Sequence, residues 1–162
     1  NGKSYGRKTK EEGKDFRLVW DSVVYQPGTV KVIAYKDGEE WAKDEIQTTG
    51  EAQKIQLSVD HASIIGSEDE LAFVTATVVD ASGRKVPTAC LPLKVEVTGC
   101  GELVATDNGD PTSFTPFQSA ERESFNGLAL AIVRGKKGTT GKMQVKVSGA
   151  GLESASIEIE VK

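Results

Sequence analysis

The chain has 162 residues, 38% of them hydrophobic, with 17 glycines and a net charge of −4, enough for one domain or one domain plus part of a second. The acidic balance excludes a nucleic-acid binder, which needs a clustered basic face to neutralise phosphates, and evenly spread charge argues against disorder. The longest apolar run, Leu128 to Val133, is six residues, against the roughly 20 that a membrane helix needs, so no membrane insertion is expected.

The chain starts at Asn1 with neither an initiator Met nor a signal peptide, so Asn1 reads as a cut or processed end. Gly2-Lys3-Ser4-Tyr5-Gly6 imitates a nucleophile elbow, and its first three residues imitate the end of a phosphate-binding loop. The elbow needs a preceding strand, a following helix and His and acid partners, and the phosphate loop needs an upstream glycine and strand. Asn1 to Ser4 is expected instead to be the tip of a hairpin, followed by a strand stub at Ser4-Tyr5. The basic residues Lys3, Arg7, Lys8, Lys10, Lys14 and Arg17 are interrupted by Glu11, Glu12 and Asp15, as in a solvated turn region.

Period-two alternation dominates the rest. Phe16, Leu18 and Trp20 share one face of a predicted strand, and Pro27-Gly28 turns the chain. Val30, Val32 and Ala34 then alternate with Ile33 and Tyr35, predicting a strand covered on both sides. Asp37-Gly38 is a hairpin signal, with a return strand from about Glu39 to Thr48. Trp20, Tyr25, Tyr35 and Trp41 could form a sugar platform, but aromatics at alternating strand positions fit a core or a domain interface better. Thr48 to Ala52 reads as a linker.

Beyond the linker, alternation predicts seven strands, around 55–59, 74–78, 93–97, 103–106, 128–133, 143–147 and 157–161, with a turn at Asp80–Gly83. That is the number and size of an immunoglobulin-like sandwich. The fold expected is therefore all-β: a partial β-sandwich over residues 1–50, then an immunoglobulin-like β-sandwich over 51–162. Three strands bury little, so residues 1–50 should be stabilised by docking or by residues outside this sequence.

Cys90 and Cys100 flank the alternating run Leu91 to Thr98. If extended, that run separates them by about 30 Å at ~3.3 Å per residue, whereas a disulfide needs Cα atoms within about 7 Å. Both are expected free and buried. One histidine, His61, and two separated cysteines cannot build a zinc site, so no metal or cofactor is expected, and His61 reads as a surface residue.

The unusual segment is Asp107 to Ser124, a long loop for a compact sandwich and hence a candidate for function. Asp107, Asn108 and Asp110 lie near Phe114 and Phe117, a set suited to glycan or ion contact. A calcium loop counted from Asp107 would put Gln118 where a bidentate Glu is expected. The structural alternative is an Ω-loop pinned by Phe114 and Phe117, with Asn108-Gly109 and Asp110-Pro111 as turns. No two carboxylates stand out as an acid/base couple.

Residues 52–162, with LAFVTATVVDASGRKVP and LPLKVEVTGCGELVATDNGDP, resemble the bacterial immunoglobulin-like domains of invasin-type adhesins and surface enzymes. A sharper resemblance is carried by NGKSYGRK, LVWDSVVYQPGTVKVIAYKDGEEWAKDEIQTTGE, DNGDPTSFTPF and FNGLALAIV. In this order they resemble the C-terminal region of glycoside hydrolase family 2 enzymes of the β-galactosidase type, especially those of gut Bacteroidetes.

The resemblance implies two accessory sandwiches behind a catalytic (β/α)₈ barrel that holds paired glutamates. It also implies partner domains in the same parent chain, carbohydrate as a further contact, and a periplasmic or cell-surface location. The family's acid/base glutamate follows an asparagine, whereas Asn1, Asn108 and Asn126 are each followed by glycine. No catalytic residue carries over, and the family's strands before NGKS have no counterpart in this sequence. The rival readings are a stalk repeat of a surface adhesin and a carbohydrate-binding module.

Overall fold

The computed structural model describes residues 1–67 and 69–162. The chain divides into two compact units, Asn1–Thr48 and Thr49–Lys162. Every regular element among the described residues is a strand.

In the first unit, β1 (Thr29–Lys36) and β2 (Glu39–Gln47) form a two-stranded antiparallel sheet. The Asp37-Gly38 turn that joins them has φ of 53° and 88°, the double positive φ of a hairpin whose twist suits the strands. Trp41 is the extra residue of a bulge, because Ala34 pairs with Ala42 while Tyr35 pairs with Glu40. The predicted strand at Phe16–Trp20, the stub at Ser4-Tyr5 and the hairpin at Asn1–Ser4 are irregular chain. Phe16 is 99% exposed, so alternation there had no partner strand to act on. The strand predicted to be covered on both sides is open, with Val30 and Val32 both exposed. No residue of this unit is buried.

The second unit closes. Among the described residues its nine strands are β3 (Lys54–Val59), β4 (Ser63–Ile64), β5 (Leu71–Val79), β6 (Pro92–Gly99), β7 (Gly101–Asp107), β8 (Glu121–Glu123), β9 (Leu128–Gly135), β10 (Gly141–Gly149) and β11 (Ala155–Val161). One sheet has the order β4-β11-β10-β6-β8 and the other β3-β5-β9-β7, and all pairs are antiparallel except β4 with β11. Seven of these are the strands expected. The two extra ones, β4 and β8, are edge strands of two and three residues, too short for periodicity to reveal and short enough to blunt both edges.

The core lies between the sheets. Ala72, Val74, Ala76 and Val78 of β5 and Ala129, Ala131 and Val133 of β9 face Leu93, Val95, Met143, Val145, Val147, Ile159 and Val161 of the other sheet. Alternate residues point inward along each strand, so each run of the sequence pattern fills one layer. β9 lies between β5 and β7. An Asn126-Gly127 turn precedes it, with φ of 52° and 76°. A Cβ on Gly127 would stand 2.4 Å from the Val86 carbonyl oxygen, so only glycine fits there.

β6 runs between Cys90 and Cys100, and both thiols are free. They are exposed and half-buried respectively, not buried, because each lies outside a strand, with Cys100 packed only against the margin of the core.

Asp80 fixes the start of this unit. The residue is 3% exposed; Oδ2 accepts from the Gly50 amide, and Oδ1 accepts from the Ser82 and Arg84 amides, each at 2.9 Å. The carboxyl lies below the ordinary carboxylate range, first because of the Gly50 amide and then the Arg84 amide; burial opposes them, and the Ser82 amide and the Arg84 charge add to them. Such a group adds stability above its unfolded pKa of about 3.9, lost as pH falls through the lower folded value.

Two outcomes are expected. Ile159→Ala removes a fully buried side chain and should cost about 2–5 kcal/mol in urea unfolding of the second unit. Asp80→Asn should be less stable than the unaltered chain at neutral pH, and the gap should close on acidification below about pH 4, as followed by thermal unfolding across pH.

Candidate functional site

The loop between β7 and β8 is built around Arg122. In Glu121-Arg122-Glu123 the middle residue takes the inward position, paired with the buried Leu93 of β6. Its side chain is 3% exposed, and each guanidinium N–H has an acceptor. Nε donates to Thr106 Oγ1 at 3.1 Å, Nη1 to Ser113 Oγ at 3.3 Å and the Thr115 carbonyl at 3.1 Å, and Nη2 to the Thr106 carbonyl at 2.8 Å and the Pro116 carbonyl at 2.9 Å. The planar fork suits five acceptors spread over a loop, which a lysine could not satisfy.

Thr106, fully buried at the end of β7, completes the clasp. Its amide donates to the Phe117 carbonyl at 2.6 Å and its hydroxyl to the Ser119 carbonyl at 2.8 Å. The loop is therefore drawn onto the outer edge of β7 by polar bonds.

The predicted site residues divide into two groups. Asp107, Asn108 and Asp110 shape turns. Asp107 Oδ1 accepts from the Asn108 amide at 2.7 Å, and Asn108 Oδ1 accepts from the Asp110 amide at 3.0 Å. Asn108 Nδ2 donates to the Glu123 carbonyl at 2.9 Å, and Asp110 Oδ1 accepts from the Thr112 amide and hydroxyl at 2.8 Å each. These side chains hydrogen-bond the local backbone as turn residues do. Among the described residues no three His, Cys, Asp or Glu side chains gather as ion ligands.

Phe114 and Phe117 are 99% and 60% exposed, so they do not pin the loop, as the Ω-loop reading expected. The Arg122 guanidinium lies 5.8 Å from the centre of the Phe117 ring, within cation–π range. The loop thus offers two aromatic faces on a hydrogen-bonded frame. Sequence reasoning missed Arg122; the available signal was an inward charge in a Glu-Arg-Glu alternation beside a loop rich in carbonyls.

The other candidates stay apart. His61 is exposed, with Nδ1 3.0 Å from Asp60 Oδ2. Trp20 is half-buried and donates through Nε1 to the Tyr5 carbonyl at 3.1 Å, Tyr35 lies 5.0 Å from the Arg7 guanidinium, and Tyr25 and Trp41 are exposed. Gly2 to Gly6 is irregular chain with no helix after it among the described residues.

Against this geometry, residues 55–158 match the family model of the glycoside hydrolase family 2 C-terminal domain 5. The chain belongs to the C-terminal region of glycoside hydrolase family 2 proteins. Residues 1–42 match a domain of unknown function, DUF4982. The whole chain is 34% identical to the β-galactosidase BoGH2A of Bacteroides ovatus and spans 19% of that protein. A family 2 member from Bacteroides cellulosilyticus superposes with a TM-score of 0.91 at 29% identity, over 98% of this chain and 22% of that one. A β-glycosidase from Bacteroides vulgatus superposes with a TM-score of 0.81 at 27% identity, over 86% of this chain and 18% of that one. The chain thus spans about a fifth of the length of these family 2 relatives.

The clasp generates a prediction. Arg122→Met leaves the Thr106, Thr115 and Pro116 carbonyls without their donor and should cost about 2–4 kcal/mol, with faster amide exchange at Ser113–Ser119. Arg122→Lys should not restore protection of that segment, whereas Phe114→Ala should stay within about 0.5 kcal/mol of the unaltered chain in the same unfolding assay.

Proposed function

We propose that this chain is the non-catalytic C-terminal β-sandwich region of a family 2 glycosidase of the β-galactosidase type. It supports the catalytic barrel and offers Phe114 and Phe117 for glycan contact. The observation that carries this reading is the 34% identity over all 162 residues with a β-galactosidase. The chemistry of the chain agrees. A retaining glycosidase needs two carboxyl groups about 5–5.5 Å apart flanking the scissile bond, and the carboxylates of the best candidate loop, Asp107 and Asp110, are occupied as turn acceptors. The exposed rings of that loop present apolar faces of the kind that stack on sugars. As the family resemblance implies, the parent works in the periplasm or at the cell surface.

Pure chain 1–162 should release no product from an aryl β-galactoside, while the full-length parent should turn it over. Hydrolysis by the pure chain, abolished by a point substitution within it, would overturn the reading. For the glycan contact, chemical shifts at Phe114 and Phe117 should move saturably on titration with β-linked galactosides, and Phe114→Ala should weaken the response several-fold. No movement up to millimolar sugar would remove that part.

A further inference from the structure

The small, polar stretch from Thr48 to Ala52 is a shorter linker than its composition suggests, because both of its ends are tied down. At the first end, Thr48 is held by Gly28. The Thr48 amide donates to the Gly28 carbonyl at 2.8 Å, and the Gly28 amide donates back to Thr48 Oγ1 at 3.0 Å. The Tyr25 hydroxyl lies 3.4 Å from the same Oγ1. Since Thr29 pairs with Gln47, Gly28 and Thr48 carry the β1–β2 pairing one position further, and the first compact unit ends there.

At the second end the first tie is Gly50, whose amide donates to Asp80 Oδ2 at 2.9 Å. The next is Gln53, whose amide donates to the Val79 carbonyl and whose carbonyl accepts from the Glu153 amide, each at 2.9 Å. Ala52 packs against the core. Among the described residues no hydrogen bond holds Thr49 or Glu51. The reach of Asp80 to Gly50, thirty positions earlier in the chain, is more than its own turn requires. Backbone bonds already close that turn: the Asp80 amide donates to the Arg84 carbonyl at 2.9 Å, and the Gly83 amide to the Asp80 carbonyl at 3.0 Å. Val79 and Lys85 form a bridge just outside it. Oδ1 serves the Ser82 and Arg84 amides of the turn, which leaves Oδ2 for Gly50. A bond to an ionised acceptor in so buried a place is stronger than a neutral one and meets little competition from water.

We propose that Asp80 is a latch that sets the free length of chain between the two units. With Oδ2 on the Gly50 amide, Thr49 is the one residue left between anchors at Thr48 and Gly50. It is β-branched, so the joint has a narrow choice of backbone angles. With the latch open, the free stretch runs from Thr49 to Glu51, up to about 7 Å longer at ~3.4 Å per residue. That stretch contains Gly50, whose backbone is far more permissive than that of threonine. The carboxylate thus separates a stiff one-residue hinge from a flexible three-residue tether. The inference concerns this chain alone and is independent of the glycosidase reading.

Amide exchange and backbone ¹⁵N relaxation on chain 1–162 test it. In the unaltered chain the Gly50 amide should be protected about 100-fold more than those of Thr49 and Glu51. Order parameters should dip at Thr49 alone and stay near 0.85, the value of about rigid backbone, at Gly50 and Glu51. The isosteric Asp80→Asn has one acceptor oxygen, enough for the two turn amides, and turns an NH₂ group that cannot accept toward Gly50. Gly50 should then lose its protection, and order parameters at Gly50 and Glu51 should fall below about 0.6, while the Ser82 and Arg84 amides stay protected. Arg84→Met, which removes the charge 4.0 Å from Oδ2 but not the latch, should leave Gly50 protection within about threefold of the unaltered chain.

Equal protection at Thr49, Gly50 and Glu51 in the unaltered chain overturns the proposal, and that measurement needs no substitution. An Asp80→Asn chain in which Gly50 and Glu51 stay ordered overturns it as well. If Ser82 and Arg84 lose protection together with Gly50, Asp80 is a turn residue and not a latch. If Arg84→Met frees Gly50 as fully as Asp80→Asn does, the ion pair holds the linker and the proposal fails.

Discussion

A β-sheet with one apolar face must put that face against something, and this chain contains one sheet system that does so and one that does not. In the second unit the inner faces of a four-stranded and a five-stranded sheet interdigitate, and eighteen residues from Ile55 to Val161 form one buried cluster. Everything else in that unit is arranged around the closure. The edge strands of the five-stranded sheet are kept short, Asp80 binds the entry of the chain, and Arg122 folds the long loop against the edge of β7. In the first unit the same requirement is unmet, since Val30, Val32 and Ile46 stand in solvent. The contrast separates a unit with a buried core from one without.

The loop illustrates how a suggestive composition can serve structure. Aspartate, asparagine and phenylalanine in one segment resemble a binding site, yet the acids and the amide are turn acceptors and the frame is held by a buried arginine. Burying a guanidinium is costly unless every donor is met, and here all five are. What remains exposed includes the Phe114 and Phe117 rings, beside the polar Thr112, Thr115 and Gln118.

Much of the fold was legible because period-two alternation survives wherever a strand has a partner layer. Ile55–Val59, Leu93–Val97 and Met143–Val147 all fall on observed strands. The Asp37-Gly38 turn was legible for a local reason, the double positive φ. Phe16–Trp20 shows the limit: alternation without a pairing strand gives irregular chain. Edge strands of two or three residues are below any periodicity. The loop drew attention through its length and turn residues, but its organiser did not, because an arginine pointing into a sandwich looks like a surface residue until the carbonyls around it are known. The family was carried by residue patterns across nearly the whole chain, and identity over all 162 residues bears that out.

The account's central claim is that residues 1–48 have no core of their own while residues 49–162 do. Native-state amide exchange on chain 1–162 tests it most directly. The amides of Val30 and Val32, though paired with β2, should exchange within a few tens-fold of the unfolded rate, while those of Ala129–Val133 should report the global stability of the second unit. Equal protection of the two sets would show that the hairpin is already part of a closed core and would contradict the account.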